Sequence, residues 1–235
     1  MLQLNVTELL LFFDEAPVDS VSHASAIVAM LGEDLGIALL QKRLRDEGIG
    51  TTVALRPNGL PQTPMGAAGR LDRWLLSDGP KNPTQYQVEV KNWSAHAING
   101  KKFTVARDAP EYEERLRQHR ISRWAFAFNP EAQSFWNSKA ANKVLTRMTN
   151  PPRPDIEVEP LICFWDPMHP ADEAQSLFKV DLKPNEHGFA FDHFWVFSMS
   201  NYLRGLTDKQ ICLDMPAARQ RIQWLGRLAV PAVND

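Results

Sequence analysis

Between residues 22 and 47 the chain is rich in Ala, Leu and Ile and contains no proline. Asp19 and Ser20 can cap its start and Gly48 can stop it, which predicts one long helix. Two short runs, LDRWLL over 71–76 and QYQVEVK over 85–91, flank the turn-forming stretch SDGPKNPT and predict a β-hairpin. A helix over 111–120, a strand over 122–128 (SRWAFAF) and a helix over 132–148, ending before NPPRP, are expected next. Then come an apolar strand in VEPLICFW, a hairpin from SLFKVDL to FAFDHFWVF, and a helix over 216–228 that opens on Pro216. Strands and helices alternate, the pattern of an α/β domain.

The hairpin carries the chemistry. Side chains alternate faces along a strand, so Gln87, Glu89 and Lys91 share one face and Tyr86, Val88 and Val90 the other. A hairpin closing symmetrically about its loop pairs positions that sum to 161, which sets Asp72 across from Glu89. Residues so opposed have β-carbons roughly 5 Å apart, where two carboxylates repel unless a cation lies between them. Mg²⁺ or Mn²⁺ would resolve that conflict.

A further acid belongs to the long helix. Glu33 falls in the row Ala26, Met30, Glu33, Ile37, Leu40, Leu44, whose other members are all apolar, and a carboxylate there needs a reason. Metal contact and a salt bridge to an arginine are both open. Asp34 shares its row with Gln41 and Arg45 and is expected nearer solvent.

Asp72 in GRLDRWLL, followed across a hairpin by Glu89-Val90-Lys91 in QVEVKNW and preceded by a helix bearing Glu33, resembles the PD-(D/E)xK motif of restriction-endonuclease-like nucleases. The likeness covers about 24–128, and Arg70-Leu71 stands where the motif has its proline. It implies a mixed central sheet flanked by helices, to which the sequence adds the C-terminal hairpin and helix. It also implies Asp72, Glu89 and Glu33 as ligands of Mg²⁺ (or Mn²⁺), with Lys91 orienting water or stabilising charge on the phosphorane. The chemistry is coherent, because phosphodiester hydrolysis needs an activated water and neutralisation of growing negative charge.

Composition narrows the rest. With 235 residues and 44% apolar content the chain can bury one sizeable core. One domain is expected, its motif-bearing part over about 24–165 and a C-terminal elaboration over about 166–235. A net charge of −2 requires any DNA-binding charge to be local. Arg115 and Arg120 mark one basic cluster. Lys139, Lys143 and Arg147 form a stripe at helical spacing, which suits either phosphate tracking or a solvated face. The two cysteines, Cys163 and Cys212, lie far apart, the six histidines show no HxH or HExxH spacing, and no phosphate-binding glycine loop occurs, so neither zinc nor a nucleotide cofactor is expected. No signal peptide or membrane-spanning run is read, and a cytoplasmic setting fits. A second acid-x-Lys triplet, Asp181-Leu182-Lys183, runs straight into Pro184 and reads as a hairpin end. Trp93 and Trp124 suit either base stacking or packing, the latter favoured.

The function expected is a metal-dependent endonuclease hydrolysing DNA through a metal-activated water. The alternative is a non-catalytic nucleic-acid-binding or assembly subunit that keeps the fold. A homodimer is plausible for a double-strand cut.

Overall fold

The computed structural model describes residues 1–14, 21–55, 72–78, 83–91, 105–106, 108–136, 143–182 and 190–228. Its elements in chain order are β1 (Leu2–Asn5), α1 (Val6–Asp14), α2 (Val21–Asp46), β2 (Gly50–Leu55), β3 (Arg73–Asp78), β4 (Pro83–Lys91), α3 (Tyr112–Ala127) and α4 (Gln133–Trp136). They are followed by β5 (Val158–Phe164), β6 (Leu177–Asp181), β7 (His193–Ser198), α5 (Met199–Arg204), β8 (Gln210–Leu213) and α6 (Pro216–Leu228). The fold is α/β: a six-stranded mixed sheet, order β2-β3-β4-β5-β7-β6, is flanked by helices, and β1 pairs with β8 in a separate two-stranded ribbon. In the sheet β4, β5 and β7 run parallel, while the β2–β3, β3–β4 and β6–β7 pairs are antiparallel.

The long helix forms as its composition predicts, and it ends in a Schellman motif. Gly48, at φ 75°, donates its N–H to the Arg45 carbonyl, and Ile49 donates to Leu44. Two residues on, Gly50 pairs with Asp78 at the start of β2, where a β-carbon would come within 3.1 Å of the Asp78 carbonyl oxygen. The expected caps Asp19 and Ser20 lie outside the described residues.

The sheet separates two apolar layers. Beneath α2, the side chains of Leu35, Leu39 and Leu40 pack with Leu75, Val88, Val90, Leu161, Cys163 and Phe197. On the opposite face, Trp74, Ile162, Phe164, Phe194 and Val196 pack with Trp124, Phe128, Phe135 and Val144. Strand β4 serves both faces, and its second face is unusual. Gln85, Gln87 and Glu89 are all fully buried there, three polar side chains in a column. Gln85 donates to the carbonyls of Arg153 and Ile156, and Gln87 to those of Val144 and Thr146, while each accepts a main-chain N–H, from Arg153 and Met148 respectively. The two glutamines thereby fasten the 144–156 segment to the sheet, since irregular backbone must find its hydrogen bonds somewhere when buried.

Four expectations are corrected. The strand foreseen over 122–128 is helix: α3 continues to Ala127, burying Tyr112, Leu116, Arg120, Arg123, Trp124 and Ala127. That is a helical repeat, and with no glycine or proline before Pro130 nothing stops it. The helix foreseen over 132–148 ends early: its described helical residues are Gln133–Trp136 and 143–145, and beyond them Gln87 claims the carbonyls of Val144 and Thr146. The C-terminal hairpin is no appendage, because β7 lies between β5 and β6 and completes the central sheet. Finally, Asp34 is buried and the Glu33 side chain is 45% exposed, the reverse of the expected order. Residues 34–40 are buried in unbroken succession because α2 is covered on more than one side, so a single-row argument fails there.

Candidate metal site at the β3–β4 hairpin

The hairpin closes in the register that the sequence pattern predicts. Arg73 pairs with Val88 and Asp78 with Pro83, so partners sum to 161 throughout. Asp72 immediately precedes β3 and, one residue beyond the last pair, falls opposite Glu89. Its Oδ2 accepts the N–H of Val90 at 2.7 Å. Glu89 is fully buried. The Lys91 ammonium bonds to its Oε1, and the Lys143 ammonium reaches both carboxylate oxygens, at 2.9 and 3.0 Å.

Burial, and then the charge of Glu89, push the Asp72 carboxyl up to about 6, against the opposing pull of the Val90 N–H and the two lysines. The four side chains carry two negative and two positive charges, so the cluster balances itself. The two carboxylates are hard oxygen donors of the kind Mg²⁺ and Mn²⁺ take, and Mg²⁺ in particular is held by one or two carboxylates with water completing its shell. The donor set fits such an ion, although among the described residues no group of three His, Cys, Asp or Glu side chains converges. Cys163 lies in the core, where burial and then Asp72 raise its thiol well above the usual range, which leaves it inert as a nucleophile.

Glu33 stands apart from this group. It projects from α2, on the other side of the sheet from Glu89, and its Oε2 accepts from Arg73 at 2.6 Å. Asp34, beside it, accepts the N–H groups of Ala217 and Ala218 on Oδ2, at 2.8 and 3.1 Å, and so caps the start of α6.

The foreseen phosphate-contacting residues disperse. Arg120 is buried, bonded to Asp166, Ser200 and Asn201, and is withdrawn as a surface contact. Arg115 is exposed on α3. Lys139 lies outside the described residues, as does Trp93. Lys143 turns inward to Glu89, and the Arg147 guanidinium sits 5.2 Å from the Phe191 ring centre. Lys143 and Arg147 do not share a helical stripe, since the helical residues end at 145. Trp124 packs against Phe128 and Phe178 in the core. Asp181, the acid of the second triplet, ends β6 opposite His193.

Lys143 and Arg73 are the two members of this neighbourhood whose roles the sequence did not disclose. The signal for Arg73 was present, since strand alternation turns it away from Asp72 and toward the helix bearing Glu33. For Lys143 there was none, because its approach depends on the glutamine column gripping irregular backbone.

No protein-family model matches the chain, and no curated protein and no solved structure is significantly similar to it.

Proposed function

We propose that the chain is a metal-dependent nuclease of restriction-endonuclease-like type, with Asp72 and Glu89 holding Mg²⁺ or Mn²⁺ and DNA as its substrate. The observation that carries the reading is the pairing of Asp72 with a buried Glu89 beside two partly exposed ammonium groups. When bound, the cation supplies Lewis acidity toward a phosphodiester oxygen and lowers the pKa of water. A neutral cluster of two carboxylates and two lysines becomes doubly positive once it takes up a divalent ion, which matches the charge that accumulates on a phosphodiester under attack. Lys91 and Lys143, 26% and 23% exposed, keep their ammonium groups where an incoming phosphate can replace a carboxylate as their partner. Asp72 must be ionised to serve, and it loses its proton near pH 6.

A second reading has one observation in its favour. Glu89 is already neutralised by lysines, so the cluster can exist as a structural ion pair in a non-catalytic nucleic-acid-binding or assembly subunit. Incubation with supercoiled, linear and single-stranded DNA, in Mg²⁺, Mn²⁺ or EDTA, separates the two. Nicking or linearisation that needs metal and disappears in Glu89→Gln and Lys91→Ala supports the nuclease; binding without cutting, unchanged by metal and by both substitutions, selects the subunit.

A further inference from the structure

Asp72 precedes the first strand residue of β3, so the β3–β4 ladder does not fix its main chain. Among the described residues two contacts orient it. Its carboxylate takes the Val90 N–H, and its carbonyl oxygen takes an N–H from Arg73 Nη1 at 2.6 Å. That same nitrogen reaches Glu33 Oε2 at 2.6 Å, and Nη2 lies 3.5 Å from Asp34 Oδ1. The guanidinium is largely buried, its side chain 12% exposed. It spans from helix α2 to the residue opposite Glu89. The helix end of this clamp is itself braced, since the other oxygen of Asp34 is occupied by the first turn of α6.

We propose that Arg73 is the positioning residue for Asp72, with Glu33 and Asp34 as its anchors on α2, an assignment that rests on the reading of Asp72 as a metal ligand. Glu33 then acts on the metal through Arg73 and the Asp72 main chain, without contacting the ion. A planar, permanently charged fork is suited to this, because it can bond a carbonyl and two carboxylates at once while holding a fixed plane. Residues that orient metal ligands in this way commonly change metal affinity by roughly 10- to 100-fold when removed.

The experiment is Mn²⁺ binding by the full chain, measured by calorimetry or by electron paramagnetic resonance of the free ion. Wild type is compared with Arg73→Met, Arg73→Lys, Glu33→Gln and the ligand variant Glu89→Gln, with Leu39→Ala, a core change in α2, as a stability control. Arg73→Met is expected to weaken Mn²⁺ binding about tenfold or more. Arg73→Lys should recover part of that loss, and Glu33→Gln should weaken binding severalfold in the wild-type background but not in Arg73→Met. Leu39→Ala is expected to lower Tm and leave the affinity unchanged, which separates positioning from general loosening. Arg73→Met binding within twofold of wild type overturns the proposal, and if that variant fails to fold, unaltered binding by Glu33→Gln does so. Absence of Mn²⁺ binding by wild type, or binding indifferent to Glu89→Gln, overturns the metal-site reading itself and the proposal with it.

Discussion

Two buried carboxylates in this molecule meet cationic partners under opposite conditions. Asp166, fully buried, bonds to Arg120, which is itself 4% exposed and also held by Ser200 and Asn201. Glu89 is just as deeply buried, yet its partners are lysines with a quarter of their side chains exposed, and another carboxylate stands opposite. The first pair is sealed: its partners come from α3, the chain after β5 and helix α5, and its arrangement ties those elements together. The second is open on the side of the ammonium groups and keeps two like charges near each other. Burial of a charge therefore does not by itself mark a site. What marks it is a carboxylate whose partner can leave, beside a second acid that raises the energy of the ionised pair.

The sharpest way to break the contrast is to remove a cation from each cluster. Arg120→Met strands Asp166 in the core, and the loss of one partner of a buried ion pair costs about 3–5 kcal/mol. A large fall in the denaturation midpoint is expected, with proportionate loss of folded protein and no dependence on divalent metal. Lys143→Met removes one of two cations from Glu89 and leaves Lys91 in place, so its stability loss should be less than half as large in the same denaturant titration. Equal losses would show that both clusters are structural.

Removing the second acid should have the opposite sign. The Asp72 carboxyl titrates near 6 in the folded protein against about 3.8 in a free chain, so the native state holds the proton more tightly. Stability from this group is present at low pH and declines as the pH rises between those values, by about 3 kcal/mol at most. Asp72→Asn is accordingly expected to raise the stability at pH 8 by roughly 1–3 kcal/mol, with little effect at pH 4, and to abolish metal-dependent cleavage. At subsaturating metal, where proton and ion compete for Asp72, the wild-type cleavage rate should climb about tenfold per pH unit below 6 and flatten above it. A rate indifferent to pH between 5 and 7, or a destabilised Asp72→Asn protein at pH 8, would place the two clusters in the same class.

The contrast also explains what was legible in the sequence. The hairpin, its register and the Asp72–Glu89 opposition follow from local rules, alternation and a symmetric turn, and these survive any packing on either face. The helix α2 and its glycine stop were readable for the same reason. What failed depends on tertiary cover. Glu33 and Asp34 differ in burial because α6 docks on one of them. SRWAFAF continues a helix because Arg123, Trp124 and Ala127 extend the buried face begun by Tyr112, Leu116 and Arg120, and the burial of two arginines on that face depends on the surrounding cover. Lys143 reaches Glu89 because Gln85 and Gln87 capture main chain over 144–156, a tertiary contact that local periodicity does not encode.

A third cluster tests whether an exposed partner is sufficient. His193 bonds through Nε2 to Glu159 at 2.5 Å and through Nδ1 to Asp192 at 2.6 Å, and the Trp195 indole N–H also reaches Glu159. Both ring nitrogens face carboxylate acceptors, an arrangement that favours the doubly protonated imidazolium. Burial works against that charge and Lys179 opposes it slightly, but the two carboxylates outweigh them and the pKa lies above the usual value. A raised folded pKa means stability that is full below about 6.5 and lost as the pH rises through the folded value. His193→Gln should therefore destabilise the β6–β7 hairpin by about 1 kcal/mol at pH 5 and by less at pH 9, read from urea midpoints at the two pH values. Here the carboxylate is partly exposed and its partner is the group that titrates, so no unrelieved negative pair exists and no response to Mn²⁺ is expected. A midpoint that shifted with Mn²⁺ in wild type and not in His193→Gln would make this cluster a cation site as well, and would remove the opposed-acid criterion that singles out Asp72 and Glu89.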